Sequence, residues 1–193
     1  LAVVEQGKGT ANAIAHEPSV RGCLPILADY VGEKFGTDKL TVVSPDSGRV
    51  RVADIWADRL ATPLAIVHKR RDPDKPNQVQ VNEIVGQVEG RDCLIVDDMI
   101  DTGGTILAAA KALKENGAAR VIVAATHAVF SPPASERLSD PVIDAVVVTN
   151  TLPITPDKEF ETLHVLSIAP LIAKAIAAVF YDDSVNSLFP GHA

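Results

Sequence analysis

The sequence is poor in cysteine, poor in aromatic residues, has no surplus of positive charge and contains no long apolar run. Its two cysteines, Cys23 and Cys93, are too few and too far apart for a disulfide framework or a zinc site. Cys93 lies inside an apolar run, where a free thiol acts as a small buried hydrophobe. Lys and Arg number 18 against 25 Asp and Glu, a net charge of -7, which argues against a nucleic-acid surface built on bulk charge. No apolar run approaches the roughly 18 residues of a membrane span. The start, at Leu1, has no basic n-region, so no signal peptide is read. What is present is 193 residues, 47% hydrophobic, enough to bury a core without staples. The expectation is a soluble, cytoplasmic protein that engages neither nucleic acid nor membrane.

Apolar runs recur at regular intervals and predict short strands at 40–43, 63–67, 93–96, 121–125, 145–148 and 163–166. They do not alternate with polar residues, as expected of strands covered on both faces. Helical spacing fills the gaps at 50–60, at 105–116 before Gly117, and at 168–180 after Ser167. Ser131-Pro132-Pro133 reads as a capped helix start. Residues 79–85 alternate with period two, which suits an edge or hairpin strand. Strand and helix in repeated order predict an α/β fold, a parallel sheet flanked by helices.

The strongest chemical signal runs from Asp97 to Thr105, where three Asp, two Thr and two Gly fall in nine positions. It leaves an apolar strand and opens into a helix, at the sheet edge where ligands bind. Thr102, Gly103, Gly104 and Thr105 offer consecutive N–H groups at a helix start, a nest for phosphate. Asp97 and Asp98 would repel phosphate, but carboxylates accept hydrogen bonds from vicinal hydroxyls and can hold Mg²⁺. Phosphate at one end and a diol at the other describe a phosphorylated sugar. No nucleotide P-loop is present, and Gly7-Lys8-Gly9-Thr10 is only a superficial echo of one.

Two further strand ends carry charge. His68-Lys69-Arg70-Arg71 places cations after the strand at 63–67 and before a Pro-rich loop, where a basic loop can close over polyphosphate. Alone, such a run reads as a solvated face. Ser44-Pro45-Asp46-Ser47-Gly48 also joins a strand to a helix; it reads either as a helix start or as a carboxylate, Asp46, placed to hold a cation.

The segment from Asp97 to Thr105 resembles the phosphoribosyl diphosphate (PRPP) binding motif of type I phosphoribosyltransferases and of PRPP synthetases. His68-Lys69-Arg70-Arg71-Asp72-Pro73 looks like the catalytic flexible loop of the synthetases, and the Asp46 segment is similar to one whose Asp contributes to Mg²⁺ binding. The resemblance runs from about Leu24 to Ala193 and covers only the C-terminal half of a synthetase. It assigns residues 24–193 to a phosphoribosyltransferase-like domain and leaves 1–23 unassigned.

That resemblance implies transfer of the diphosphoryl group of Mg-ATP to ribose 5-phosphate, giving PRPP and AMP, by a homo-oligomer, a hexamer in the family. Lys69 and Arg71 would be catalytic, with Arg71 also on the substrate. Asp97, Asp101, Thr102, Gly103, Gly104 and Thr105 would bind ribose 5-phosphate, and Asp46 would hold Mg²⁺. Ser184 and Phe189 would lie near an allosteric nucleotide site. Two other readings stay open, a PRPP-consuming phosphoribosyltransferase and a non-catalytic associated subunit. The first needs an aromatic-bearing hood to read a base, and aromatics total only 4%. The second sits poorly with an intact Lys69 and Arg71.

Overall fold

A computed structural model describes residues 11–70 and 81–184, with side chains placed for 22–68 and 83–184. Among these, seven strands form one sheet: β1 (Leu40–Ser44), β2 (Leu64–Arg70), β3 (Val81–Val85), β4 (Asp92–Ile100), β5 (Arg120–Ala128), β6 (Ala145–Thr149) and β7 (Leu163–Leu166). Their order is β3-β2-β1-β4-β5-β6-β7. All neighbours run parallel except β2 and β3. The helices are α1 (Ala11–Phe35), α2 (Val50–Leu60), α3 (Gly104–Glu115), α4 (Ala134–Leu138) and α5 (Ala169–Phe180). The expected α/β fold with a parallel sheet flanked by helices is the one observed.

The continuous apolar runs are explained by burial on two sides. In β4, Cys93 and Ile95 enter one core with Ile106, Leu113 and Leu138 of α3 and α4. Leu94 and Val96 enter the other with Leu27, Val31, Ala53 and Trp56 of α1 and α2. Each buried Leu, Ile and Val among them contributes about 1.5–3 kcal/mol by leaving water. Cys93 is fully buried, and burial pushes its thiol up to about 12; it is the hydrophobe expected.

The sequence placed the end of β4 at Val96, but the strand continues to Ile100 and β5 to Ala128. Ladder pairing between them persists to Ile100 with Ala128, because it is a backbone property indifferent to the acidic side chains. The period-two segment is β3 over its described part, antiparallel to β2 at the sheet edge. Ser131 does not cap α4 through its hydroxyl; Pro133 occupies that position, and the Ser131 carbonyl accepts the Ala134 N–H at 2.9 Å. Ser167 does support α5, accepting the Ala169 N–H at 3.2 Å. His164 is half-buried on the edge strand β7, its Nδ1 3.3 Å from the Tyr30 hydroxyl.

Topology sets the site. From β1 the chain moves outward through α2 to β2, whereas β4 returns to the other side of β1 and continues through α3 to β5. α2 and α3 therefore leave adjacent parallel strands on opposite faces. The crevice at the carboxyl ends of such a strand pair is where α/β sheets bind ligands.

Candidate active site

The β4–α3 junction opens a pocket of about 160 Å³ lined by Asp97 and by Met99 through Ile106. Gly103 holds the turn with φ of 70°, a left-handed conformation that costs a side-chain-bearing residue energy. As N-cap of α3 it supplies no side chain to the first N–H groups of the helix. Those groups have no intrahelical partner, so they face the pocket as donors at the positive end of the helix dipole. Asp97, Asp101, Thr102, Gly103, Gly104 and Thr105, the residues expected at a ribose-phosphate site, thus line one pocket. Met99, Ile100 and Ile106 join them; sequence reading left these aside because apolar residues carry no motif.

The two carboxylates of the acidic pair are neighbours, both reached by Arg49, but only Asp97 lines the pocket. Asp98 turns away from the pocket, its side chain 7% exposed; Oδ1 accepts the Met99 N–H at 2.9 Å and Oδ2 the Arg49 Nη1 at 2.7 Å. Asp97 stays at the pocket, accepting the Asp98 N–H at 2.8 Å, with Arg49 Nε 3.2 Å from the same oxygen. Burial first, then the hydrogen bond to the Asp98 side chain, push the Asp97 carboxyl up to about 7, outweighing the pull of Arg49. Asp97 therefore titrates near neutrality and accepts hydrogen bonds once ionised.

Arg49 is the residue sequence reading passed over. It closes the β1–α2 loop that carries Asp46, and its fork ties that loop to β4. Asp46 Oδ1 accepts the Gly48 N–H at 2.8 Å, and its carbonyl accepts from the Ser44 hydroxyl at 2.7 Å. A Cβ on Gly48 would sit 3.2 Å from Asp46 Oδ1, so glycine there gives the loop room to turn back. Among the described residues no group of three or more His, Cys, Asp or Glu could enclose a metal ion.

Lys69 lies in β2, its backbone paired with Asn82; Arg71 and Phe189 lie outside the described residues, as does Gly7-Lys8-Gly9-Thr10. Ser184 follows α5 and does not line the pocket. His127 is a strand-end residue of β5, its Nδ1 2.9 Å from the Thr151 hydroxyl.

The chain matches the family model of the phosphoribosyl synthetase-associated domain over residues 74–190. It belongs to that family. A ribose-phosphate pyrophosphokinase of Streptomyces coelicolor is 63% identical over 166 residues, 86% of this chain and 51% of that protein. The crystal structure of phosphoribosylpyrophosphate synthetase from Mycobacterium smegmatis matches with a TM-score of 0.75 at 52% identity, covering 83% of this chain and 51% of that one. The chain spans about half the length of the curated relatives it matches. An adenine phosphoribosyl transferase from Trypanosoma brucei, solved with AMP, pyrophosphate and ribose-5-phosphate, matches with a TM-score of 0.52 at 14% identity over 83% of this chain and 69% of that one, a likeness of fold alone. This member of the family shares the phosphoribosyltransferase-like sheet, and its expected sugar-phosphate residues line one pocket at the β4–α3 junction.

Proposed function

We propose that this chain carries the ribose-phosphate half of a ribose-phosphate pyrophosphokinase, with residues 24–193 as the working domain. One observation carries the reading: Asp97 and Asp101 share a pocket with the unblocked N-terminus of α3. The 5-phosphate would lie on the N–H groups and hydroxyls of Thr102 through Thr105, and the ribose hydroxyls would donate to Asp97. In the full reaction the anomeric oxygen of ribose 5-phosphate attacks the β-phosphorus of ATP. The bond to the α-phosphate oxygen breaks, AMP leaves, and the hydroxyl proton is released. Lys69, in β2, and Arg71 would neutralise charge developing on the moving group. No protein nucleophile is required; positioning supplies most of the rate.

Asp46 suits Mg²⁺ held mainly by substrate. One carboxylate oxygen is taken by Gly48 N–H, the other has no protein partner among the described residues, and no enclosing cluster surrounds it. Mg²⁺ characteristically takes one or two carboxylates and completes its shell with phosphates and water. Its contribution there would be charge neutralisation on the polyphosphate.

ATP and ribose 5-phosphate are the proposed substrates, the proposed assembly is a homo-oligomer, and the proposed location is the cytoplasm. No described helix is long and apolar enough to cross a membrane. The exposed apolar side chains of Ile176, Val179 and Phe180 on α5 supply area for contact between copies. Ser184, exposed beyond that helix, and Phe189 are proposed at a regulatory nucleotide site.

The deciding experiment is calorimetric titration of ribose 5-phosphate into the chain and into Thr102→Val and Asp101→Ala. Each substitution should weaken binding by about 1–3 kcal/mol. Unchanged affinity in both would overturn the site. In the same cell, Mg²⁺, ATP and ribose 5-phosphate should give little AMP, because a chain half the length of its relatives is expected to lack the groups that hold the nucleotide in line.

A further inference from the structure

The glycine turn is held from behind by a residue of a different element. Arg137, half-buried on α4, donates from Nη1 to the Thr102 carbonyl at 2.9 Å. A Cβ on Gly104 would stand 3.3 Å from that same nitrogen. A Cβ on Gly103 would meet Leu138 Cγ at 3.5 Å and the Ala134 carbonyl and Arg137 Cβ at 3.7 Å, so α4 backs the turn along its whole length. The support is firm: Ala134 and Leu138 are buried in the same core as Ile106 and Ala109 of α3. Among the described residues no carboxylate pairs with Arg137.

A turn that binds an anion must aim N–H groups at it and carbonyls elsewhere. Glycines make this hard to guarantee, because without Cβ atoms a peptide between permissive residues can flip. The peptide between Thr102 and Gly103 is planar, and in the trans form its C=O and N–H point in opposite directions. Anchoring the Thr102 oxygen on Arg137 therefore directs the Gly103 N–H away from α4. Arg137 also brings a positive charge that pairs with no carboxylate among the described residues.

We infer that Arg137 is a positioning residue for the phosphate turn: it fixes the Thr102–Gly103 peptide with its N–H toward the bound anion and adds a positive charge behind it. This rests on the pocket being the phosphate site. Arg137 does not line the pocket, so it acts through the turn rather than by touching substrate.

The test uses the full 193-residue chain as wild type, Arg137→Gln and Arg137→Lys. Ribose 5-phosphate and inorganic phosphate are titrated by calorimetry at fixed ionic strength, and the ligand-free Tm is measured alongside. Arg137→Gln should weaken both ligands about tenfold or more, the scale of a lost charged hydrogen bond, with the ligand-free Tm shifted by less than about 3 °C. Arg137→Lys keeps a charge and a donor, and should stay within about threefold of wild type. A purely structural role would lower Tm in Arg137→Gln and leave the affinity of the folded fraction unchanged, which overturns the inference. Should Arg137→Gln fail to fold, a stable Arg137→Lys that has lost phosphate binding altogether would overturn it, and one that keeps binding would support it. Wild type binding neither ligand would sink the phosphate-site reading itself; wild type binding both, with Arg137→Gln equal to it, sinks only the role of Arg137.

Discussion

Arg49 and Asp98 meet at 2.7 Å between the β1–α2 loop and β4, and the same guanidinium reaches Asp97 at 3.2 Å. The contact joins the loop that carries Asp46 to the strand that carries the sugar-site carboxylate. Asp98 is 7% exposed and Arg49 37%, so the pair is part-way between a surface and a buried ion pair.

Arg49→Leu should therefore destabilise the chain by about 2 kcal/mol, between the small value of a surface pair and the 3–5 kcal/mol of a fully buried one. Urea denaturation measures this. Arg49→Leu combined with Asp98→Asn should recover part of the loss, because the stranded carboxylate is removed.

Asp97 makes stability fall with pH in a defined window. Its carboxyl titrates near 7 in the folded chain against an ordinary value of 3.8. Between those values the folded state holds a proton that the unfolded state has released. Its stabilising contribution is complete below about pH 4, falls as pH rises, and is lost above about 7. Urea midpoints for wild type minus Asp97→Asn should decline from pH 4.5 to 7 and level off beyond; a flat difference would refute the shift.

Gly103 tests the turn. At φ of 70° an added Cβ is strained whatever the space around it, and here it would also touch Leu138. Gly103→Ala should cost about 1–2 kcal/mol and weaken phosphate binding, whereas Gly117→Ala, at another positive φ but far along the chain, should cost stability alone. Thermal unfolding with and without inorganic phosphate separates the two.

Lys69 is proposed to act on the transition state. In a synthetase of full length carrying this domain, Lys69→Ala should lower kcat by roughly 10²-fold, as for removal of a preorganised donor, with KM for ribose 5-phosphate little changed. A normal kcat with a raised KM would mean that Lys69 only binds.

What could be read without coordinates was whatever depends on neighbouring residues in the chain. β1, β6, β7 and α2 fall within a residue of their expected bounds, because apolar runs and helical spacing mark them directly. β4 and β5 extend past their unbroken apolar runs to Ile100 and Ala128, since a ladder continues through the polar side chains between. α1 gave no signal: Pro18 and Pro25 fall inside it, and an interior proline ordinarily ends a helix. The sugar-phosphate residues were legible because they lie in one contiguous motif. Arg49 and Arg137 were not, because their partners lie 49 and 35 positions away.

The pairing of β1 with β4 brings together segments about fifty positions apart, Val42 beside Leu94. A closure of that length must be made before its contacts reward it, and it slows folding accordingly. The contact of Arg49 with Asp97 and Asp98, which depends on that pairing, has no local precursor. During refolding, helical signal should return before ribose 5-phosphate protects the chain, and the interval between them times the meeting of these two strands.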